Sequence, residues 1–112
     1  MQILEKKFGD ILLVKPAEKR IDASVATEFK EKMIDRINAG IRRIILDLSG
    51  VDFIDSSGLG AIISSLKAIG NDGDLAICRV NETVMTLFRL TRMNRVFQVF
   101  STEEEAIKAL SG

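Results

Sequence analysis

The sequence predicts an α/β fold, with a mixed β-sheet of about five strands that is opened by an N-terminal hairpin and covered by about four helices. Two short apolar segments near the N-terminus are separated by Gly9-Asp10, which is a turn signal. Further along, short apolar runs alternate with segments whose apolar residues lie three or four apart. Strands that alternate with helices after an opening hairpin indicate a sheet of mixed strand direction.

The first half of the chain supplies the hairpin and the first helix. Residues 2–8 and 11–15 are the two predicted hairpin strands. A helix is predicted to begin at Asp22 or Ser24 and to end just before Gly40. Its buried stripe is predicted from apolar residues spaced four apart, namely Val25, Phe29, Met33 and Ile37.

The second half continues the alternation of strands and helices. A central strand at residues 44–48 is followed by a polar loop and a helix whose apolar residues are Leu59, Ile62, Ile63 and Leu66. The sequence Gly-Asn-Asp-Gly at 70–73 predicts a turn, and residues 74–80 predict a strand. Asn81 and Thr102 are predicted N-caps of two further helices, with a short strand at 96–100 between them.

Composition indicates one globular domain over residues 1–112. The chain is 46% hydrophobic and 29% charged, and it has neither an apolar segment long enough to span a membrane nor a secretory signal. We therefore expect a cytoplasmic protein. Sixteen basic and sixteen acidic residues cancel, so no overall field attracts the protein to nucleic acid or to an anionic membrane, and neither is expected as a direct partner.

Several classes of enzyme are excluded by the residues that the chain lacks. It contains no histidine, so serine hydrolases that use a histidine base, zinc hydrolases and histidine phosphocarriers are excluded. The single cysteine, Cys78, cannot form an intramolecular disulfide and is predicted to be a buried strand residue. We expect no catalytic residues, no metal site and no cofactor.

The candidate functional site is the junction between the central strand and the following helix. Asp55 is a predicted N-cap, which places the hydroxyls of Ser56 and Ser57 at a helix N-terminus. Gly58 and Gly60 follow in the opening turns, where each glycine costs roughly 1 kcal/mol relative to alanine. This conflict between propensity and pattern predicts that another group comes close to the backbone there, and Leu59 is a candidate for an exposed apolar anchor.

A cluster of arginines lies near the end of the third predicted helix. Arg89, Arg92 and Arg95 are placed where cations interact favourably with the negative end of the helix dipole. This structural role accounts for them better than the alternative, which is a site for an acidic partner or a phosphate.

These motifs together resemble the STAS domain and, within it, the small single-domain anti-sigma factor antagonists of bacteria. The resemblance covers essentially the whole chain, with residues 20–23 (RIDA), 45–49 (ILDLS) and 53–60 (FIDSSGLG) as its main segments. The last of these is the most specific signature.

The resemblance implies a non-enzymatic regulator that works by partner switching. In antagonists of this type, an anti-sigma factor that is also a serine kinase phosphorylates the serine after the aspartate, which is Ser56 here. The unphosphorylated form would bind that kinase and free the sigma factor, phosphorylation would release it, and a serine phosphatase would reset Ser56. The residues implied in partner binding are Asp22, Asp55, Ser57, Gly58, Leu59 and Gly60.

Two other functional classes fit the residues less well, and a third stays open. No run G-x-x-x-x-G-K-[ST] follows a strand, so a phosphate-binding loop is not predicted. A receiver domain that is phosphorylated on aspartate needs an acidic pair and a lysine, and Asp10 stands alone. A STAS module that acts as a scaffold or binds a nucleotide, without any link to a sigma factor, remains open as the alternative.

Overall fold

The computed structural model describes residues 1–111. Seven strands are present, namely β1 (Ile3–Phe8), β2 (Ile11–Pro16), β3 (Arg20–Ile21), β4 (Arg43–Asp47), β5 (Phe53–Ile54), β6 (Asp74–Cys78) and β7 (Gln98–Phe100). The four α-helices are α1 (Ala26–Asn38), α2 (Ser56–Ile69), α3 (Glu82–Leu90) and α4 (Glu103–Ser111). Two 3₁₀ turns, Gly70–Asp72 and Met93–Arg95, precede β6 and β7.

Five strands form a mixed sheet in the order β1-β2-β4-β6-β7. β1 and β2 are antiparallel and are joined by a tight turn in which Gly9 has φ +62°, whereas every other neighbouring pair is parallel. The predicted α/β class, the opening hairpin and the four covering helices are thereby confirmed. Because β2, β4, β6 and β7 are mutually parallel, their carboxyl ends lie along one edge of the sheet.

A second, very small sheet was not predicted. β3 and β5 contain two residues each and pair in parallel, with Arg20 opposite Phe53 and Ile21 opposite Ile54. Segments this short carry no detectable alternation, so the pattern could not indicate them. Their pairing brings the segment before α1 against the segment before α2.

The two faces of the main sheet are covered unequally. The larger apolar cluster packs one face against α1, α2 and α3, and it includes Phe29, Leu46 and Phe88. The other face is covered by α4 through Ala106 and Leu110. Cys78 belongs to this second cluster and is fully buried, as predicted, and burial raises the pKa of its thiol to about 12, with the charge of Asp47 adding to the effect.

Several element boundaries differ from the prediction by one or two residues, β6 for example ending at Cys78 rather than at residue 80, and two differences have a visible cause. α1 begins at Ala26 rather than at Asp22 or Ser24, because residues 22–25 form a turn in which the Val25 amide donates to the Asp22 carbonyl. β7 begins at Gln98, since Phe97 lies in the turn before it. Among the residues described, no helix has both the length and the hydropathy to cross a membrane.

Candidate functional site

Asp55 joins the start of α2 to the segment before α1. Its Oδ1 accepts a hydrogen bond from the Gly58 amide at 2.9 Å, which confirms the predicted N-cap. Its Oδ2 accepts from the Ala23 amide at 3.3 Å. A single carboxylate thus fixes two loops that the sequence separates by 32 residues.

Ser56 and Ser57 are the first two residues of α2, and both are exposed. Within residues 1–111 neither of their backbone amides donates a hydrogen bond. Two unpaired N–H groups therefore lie at the positive end of the helix dipole. Ser57 also lines a shallow depression of about 290 Å³ between α1 and α2, together with Lys30 and Gly60. This end of α2 is therefore accessible and can tolerate added negative charge.

Asp22 lies on the other side of Ala23 from the Asp55 contact. Its Oδ1 accepts hydrogen bonds from the amide of Ser24 at 3.0 Å and from the hydroxyl of Ser24 at 2.5 Å. Arg20 approaches Oδ2 at 3.5 Å. The hydroxyl of Ser24, its amide and Arg20 lower the pKa of Asp22, so the site carries two carboxylates beside the serines.

The structure changes the interpretation of the two residues that follow Ser57. Gly58 is buried against β3, and a Cβ atom there would lie 2.0 Å from the carbonyl oxygen of Ile21. Leu59 is only 7% exposed, so the expectation of an exposed apolar anchor is wrong. The group that approaches the backbone at Gly58 is β3 of the same chain.

Gly60 is different, because nothing lies within 4 Å of the position that its Cβ would occupy. It is exposed in the second turn of α2, at the edge of the depression beside Ser57. No contact within the described chain requires glycine there. The packing of β3 is enough to explain the glycine at Gly58. At Gly60, close approach of another molecule is a reason for glycine.

The two glycines form a matched pair for a stability measurement. We expect Gly58→Ala to lower the free energy of unfolding by about 1–3 kcal/mol, because the added methyl group overpacks the contact with Ile21. Gly60→Ala should raise it by about 0.5–1 kcal/mol, because alanine is the better helix former and the site is open. Urea unfolding followed by circular dichroism measures both changes, and equal effects of the two substitutions would contradict this account.

A second polar cluster lies at the carboxyl ends of β4 and β6, and sequence reasoning missed it. Asp47 is fully buried, and Arg79 Nη2 donates to its Oδ2 at 2.6 Å while Arg79 Nε approaches both carboxylate oxygens. The same Nη2 reaches Glu103 Oε2 at 3.0 Å, and the Ser49 amide donates to Asp47 Oδ1 at 2.9 Å. This cluster ties the start of α4 to the sheet.

The pKa values of the two carboxyl groups move in opposite directions. Burial alone would raise the pKa of Asp47, but the hydrogen bonds from Arg79 and Ser49 outweigh it and hold the pKa at about 2. The neighbouring carboxyl group of Asp47, together with burial, raises the pKa of Glu103. Arg79 has a left-handed backbone, with φ +56°, which is uncommon for a residue other than glycine. The one signal in the sequence was Asp47 itself, a charged residue inside an apolar strand.

Comparison with known proteins agrees with this architecture. The profile of the STAS domain matches residues 3–106. A Thermotoga maritima protein that is provisionally named an anti-sigma factor antagonist is 34% identical over 105 residues, which cover 92% of each chain. The anti-sigma-B factor antagonist of Staphylococcus aureus is 31% identical over 80 residues, which cover 70% of this chain and 74% of that one.

A solved structure gives the same result. The crystal structure of a Thermotoga maritima protein, also provisionally named an anti-sigma factor antagonist, superposes with a TM-score of 0.93 at 31% identity and covers 98% of this chain and 95% of that one. The family profile, the two sequence relatives and this superposition agree on the family and the fold. The chain belongs to the STAS domain family and, within it, to the anti-sigma factor antagonists.

Proposed function

We propose that the chain is a cytoplasmic, single-domain partner switch whose state is set by phosphorylation of Ser56. Without phosphate it binds an anti-sigma factor that is also a serine kinase, and the sigma factor is free. Phosphate on Ser56 releases the anti-sigma factor, and a serine phosphatase restores binding. The observation that carries the proposal is the exposed Ser56 at the first residue of α2, directly after the Asp55 cap.

The surroundings of Ser56 support a phosphoacceptor. The hydroxyl is exposed, so a nucleotide bound to a partner can bring its γ-phosphate up to it. The unpaired amides of Ser56 and Ser57 can donate hydrogen bonds to the oxygens of a phosphate, whereas the negative charge of Asp55 repels it. The phosphorylated state is thus compatible with the fold, and its surface charge differs sharply from that of the unphosphorylated state.

The contact surface for the partner is proposed to combine both loops that Asp55 joins. Asp22 and Asp55 supply its negative charge, and Ser57 and Gly60 supply the accessible side of α2. Gly58 and Leu59 act indirectly in this surface, because their burial against β3 and the core sets the position of the serines.

We expect that incubation with the kinase-type anti-sigma factor and ATP phosphorylates wild type on Ser56 alone. The Ser56 hydroxyl directly follows the Asp55 cap and lies beside the free amides at the start of α2. Mass spectrometry of the digested protein locates the phosphate. Ser57→Ala is the matched control and should be labelled as wild type is, whereas Ser56→Ala should not be labelled. Undiminished labelling of Ser56→Ala would contradict the assignment. Absence of both labelling and binding would favour the scaffold or nucleotide-binding alternative.

A further inference from the structure

The end of α3 and its connection to β7 form a basic stretch of the chain. No aspartate or glutamate occurs between Glu82 and Glu103, whereas this interval contains Arg89, Arg92 and Arg95. The chain as a whole has no net charge, so this end of the molecule is positive relative to the rest.

Two of the three exposed large hydrophobic residues lie in the same connection. Leu90, the last residue of α3, is 79% exposed, and Val96, directly after the 3₁₀ turn, is 53% exposed. We call the residues Arg89, Leu90, Arg92, Arg95 and Val96 the α3–β7 surface. It combines guanidinium groups with apolar side chains that residues 1–111 leave more than half exposed.

Arg89 lies in the last turn of α3, where the helix dipole favours a cation, but ion pairs account for little of this arginine cluster. Arg89 makes one exposed ion pair, at 3.3 Å to Glu82, of a kind that contributes little to stability. Arg92 and Arg95 make no ion pair within the described chain. Arg92 also has a left-handed backbone, with φ +61°, which glycine would adopt with less strain. A positive side chain is present at Arg92 although the backbone there favours glycine.

A depression of about 360 Å³ adjoins this surface. Its lining includes the apolar side chains of Met85, Val99 and Phe100 and two arginines, Arg79 and Arg89. Its volume lies near the lower limit for small ligand pockets, which begin at about 300 Å³. An apolar recess beside a guanidinium group fits an apolar side chain that is flanked by a carboxylate.

We propose that the α3–β7 surface binds an acidic segment of a partner protein, with one apolar side chain in the depression and carboxylates on Arg89, Arg92 and Arg95. The proposal goes beyond the switch at Ser56 and does not depend on it. A protein partner fits better than a membrane, since polybasic membrane sites use clusters of about four to eight basic residues. It also fits better than DNA, since DNA-binding proteins neutralise about six to ten phosphates.

The test is a titration of ¹⁵N-labelled protein with a short synthetic peptide of glutamates around a central phenylalanine. We expect saturable binding, with amide shift changes confined to residues 79–101. Replacing both arginines (Arg92→Gly with Arg95→Gln) should weaken binding at least about tenfold, which is 1.4 kcal/mol. Replacing two exposed lysines elsewhere (Lys67→Gln with Lys108→Gln) removes the same charge and should change affinity less than about twofold.

Further measurements distinguish peptide binding at this surface from loss of the fold, from binding at the start of α2 and from binding of lipid or DNA. The double variant, Arg92→Gly with Arg95→Gln, should melt no lower than wild type, because φ +61° at Arg92 favours glycine and Arg95 is exposed, so lost binding cannot be attributed to unfolding. Ser56→Asp should bind the peptide as wild type does. Equal loss in the lysine variant, shift changes at the start of α2, or tighter binding to phosphatidylserine vesicles or duplex DNA than to the peptide would overturn the proposal.

Discussion

Phosphorylation of Ser56 is expected to weaken binding of the kinase-type anti-sigma factor by roughly a hundredfold to a few thousandfold. A phosphate brings about 1.5 to 2 negative charges to a site that already contains Asp22 and Asp55. If the contact surface buries Ser56, the phosphate must be desolvated against the partner. An uncompensated buried charge costs about 3–5 kcal/mol, and each 1.4 kcal/mol is tenfold in affinity.

The fold itself should be little affected by the same phosphate. The free amides of Ser56 and Ser57 and the helix dipole of α2 offset part of the repulsion from Asp55. Release is therefore expected to be a local charge effect, without unfolding of the domain.

Calorimetric titration of the anti-sigma factor with wild type, Ser56→Ala and Ser56→Asp tests this expectation. Ser56→Asp carries less charge than phosphoserine and should show part of the loss, at least about tenfold. Ser57→Asp is the matched control for charge at the neighbouring position. The melting temperature of Ser56→Asp should stay within a few degrees of wild type. Undiminished binding, or a collapse of the melting temperature, would refute the local-charge mechanism.

Removal of the arginine that pairs with Asp47 should have the largest effect on stability. In Arg79→Met, the fully buried Asp47 keeps the Ser49 amide but loses its cation. We expect the free energy of unfolding to fall by up to about 3–5 kcal/mol, the cost of leaving a buried charge without its partner, and the 40% exposure of the Arg79 side chain lets water screen part of this cost. Methionine is preferred to glycine, because glycine would also relieve the left-handed backbone at Arg79.

Two controls accompany this substitution. Arg89→Met removes an exposed ion pair and should cost at most about 1 kcal/mol. Adding Asp47→Asn to Arg79→Met removes the buried charge and should recover part of the stability. Urea unfolding measures all four proteins, and an Arg79→Met variant as stable as Arg89→Met would contradict the role given to the cluster.

The cluster also predicts the acid dependence of stability. The pKa of Asp47 is about 2 in the folded protein and 3.8 ordinarily, so the unfolded chain binds more protons between these values. The contribution of Asp47 is present above pH 3.8 and is lost as the pH falls toward 2. Glu103 contributes with the opposite sign, because its pKa is raised and its contribution is lost as the pH rises. Arg79→Met should therefore lose less stability than wild type over the acid interval.

Features encoded by local pattern could be predicted from the sequence, and features made by distant pairs could not. The helix stripe of α1, the Asp55 and Asn81 caps and the Gly9 turn depend on neighbours within a few residues. The bond between Arg79 and Asp47 joins positions 32 residues apart. No spacing rule identifies such a partner, although a charged residue inside an apolar strand indicates that one exists.

The error at Leu59 has the same origin. Glycines early in a helix indicate that some group comes close, but they do not say whether it belongs to the same chain or to another molecule. At Gly58 it is the backbone of Ile21, and that packing also buries Leu59. The pairing of β3 with β5 that brings Ile21 there involves two residues from each strand, which is too few for a pattern to predict.

One face of the main sheet is covered by α4 alone, and this makes Cys78 a chemical reporter of whether α4 is packed on the sheet. Its thiol lies fully buried in the cluster that α4 closes with Ala106 and Leu110, and its pKa of about 12 leaves almost no thiolate at neutral pH. We expect a maleimide or iodoacetamide reagent to reach the sulfur when α4 detaches from the sheet. The alkylation rate of the native protein therefore measures how often this helix opens, through a natural cysteine and without an added probe.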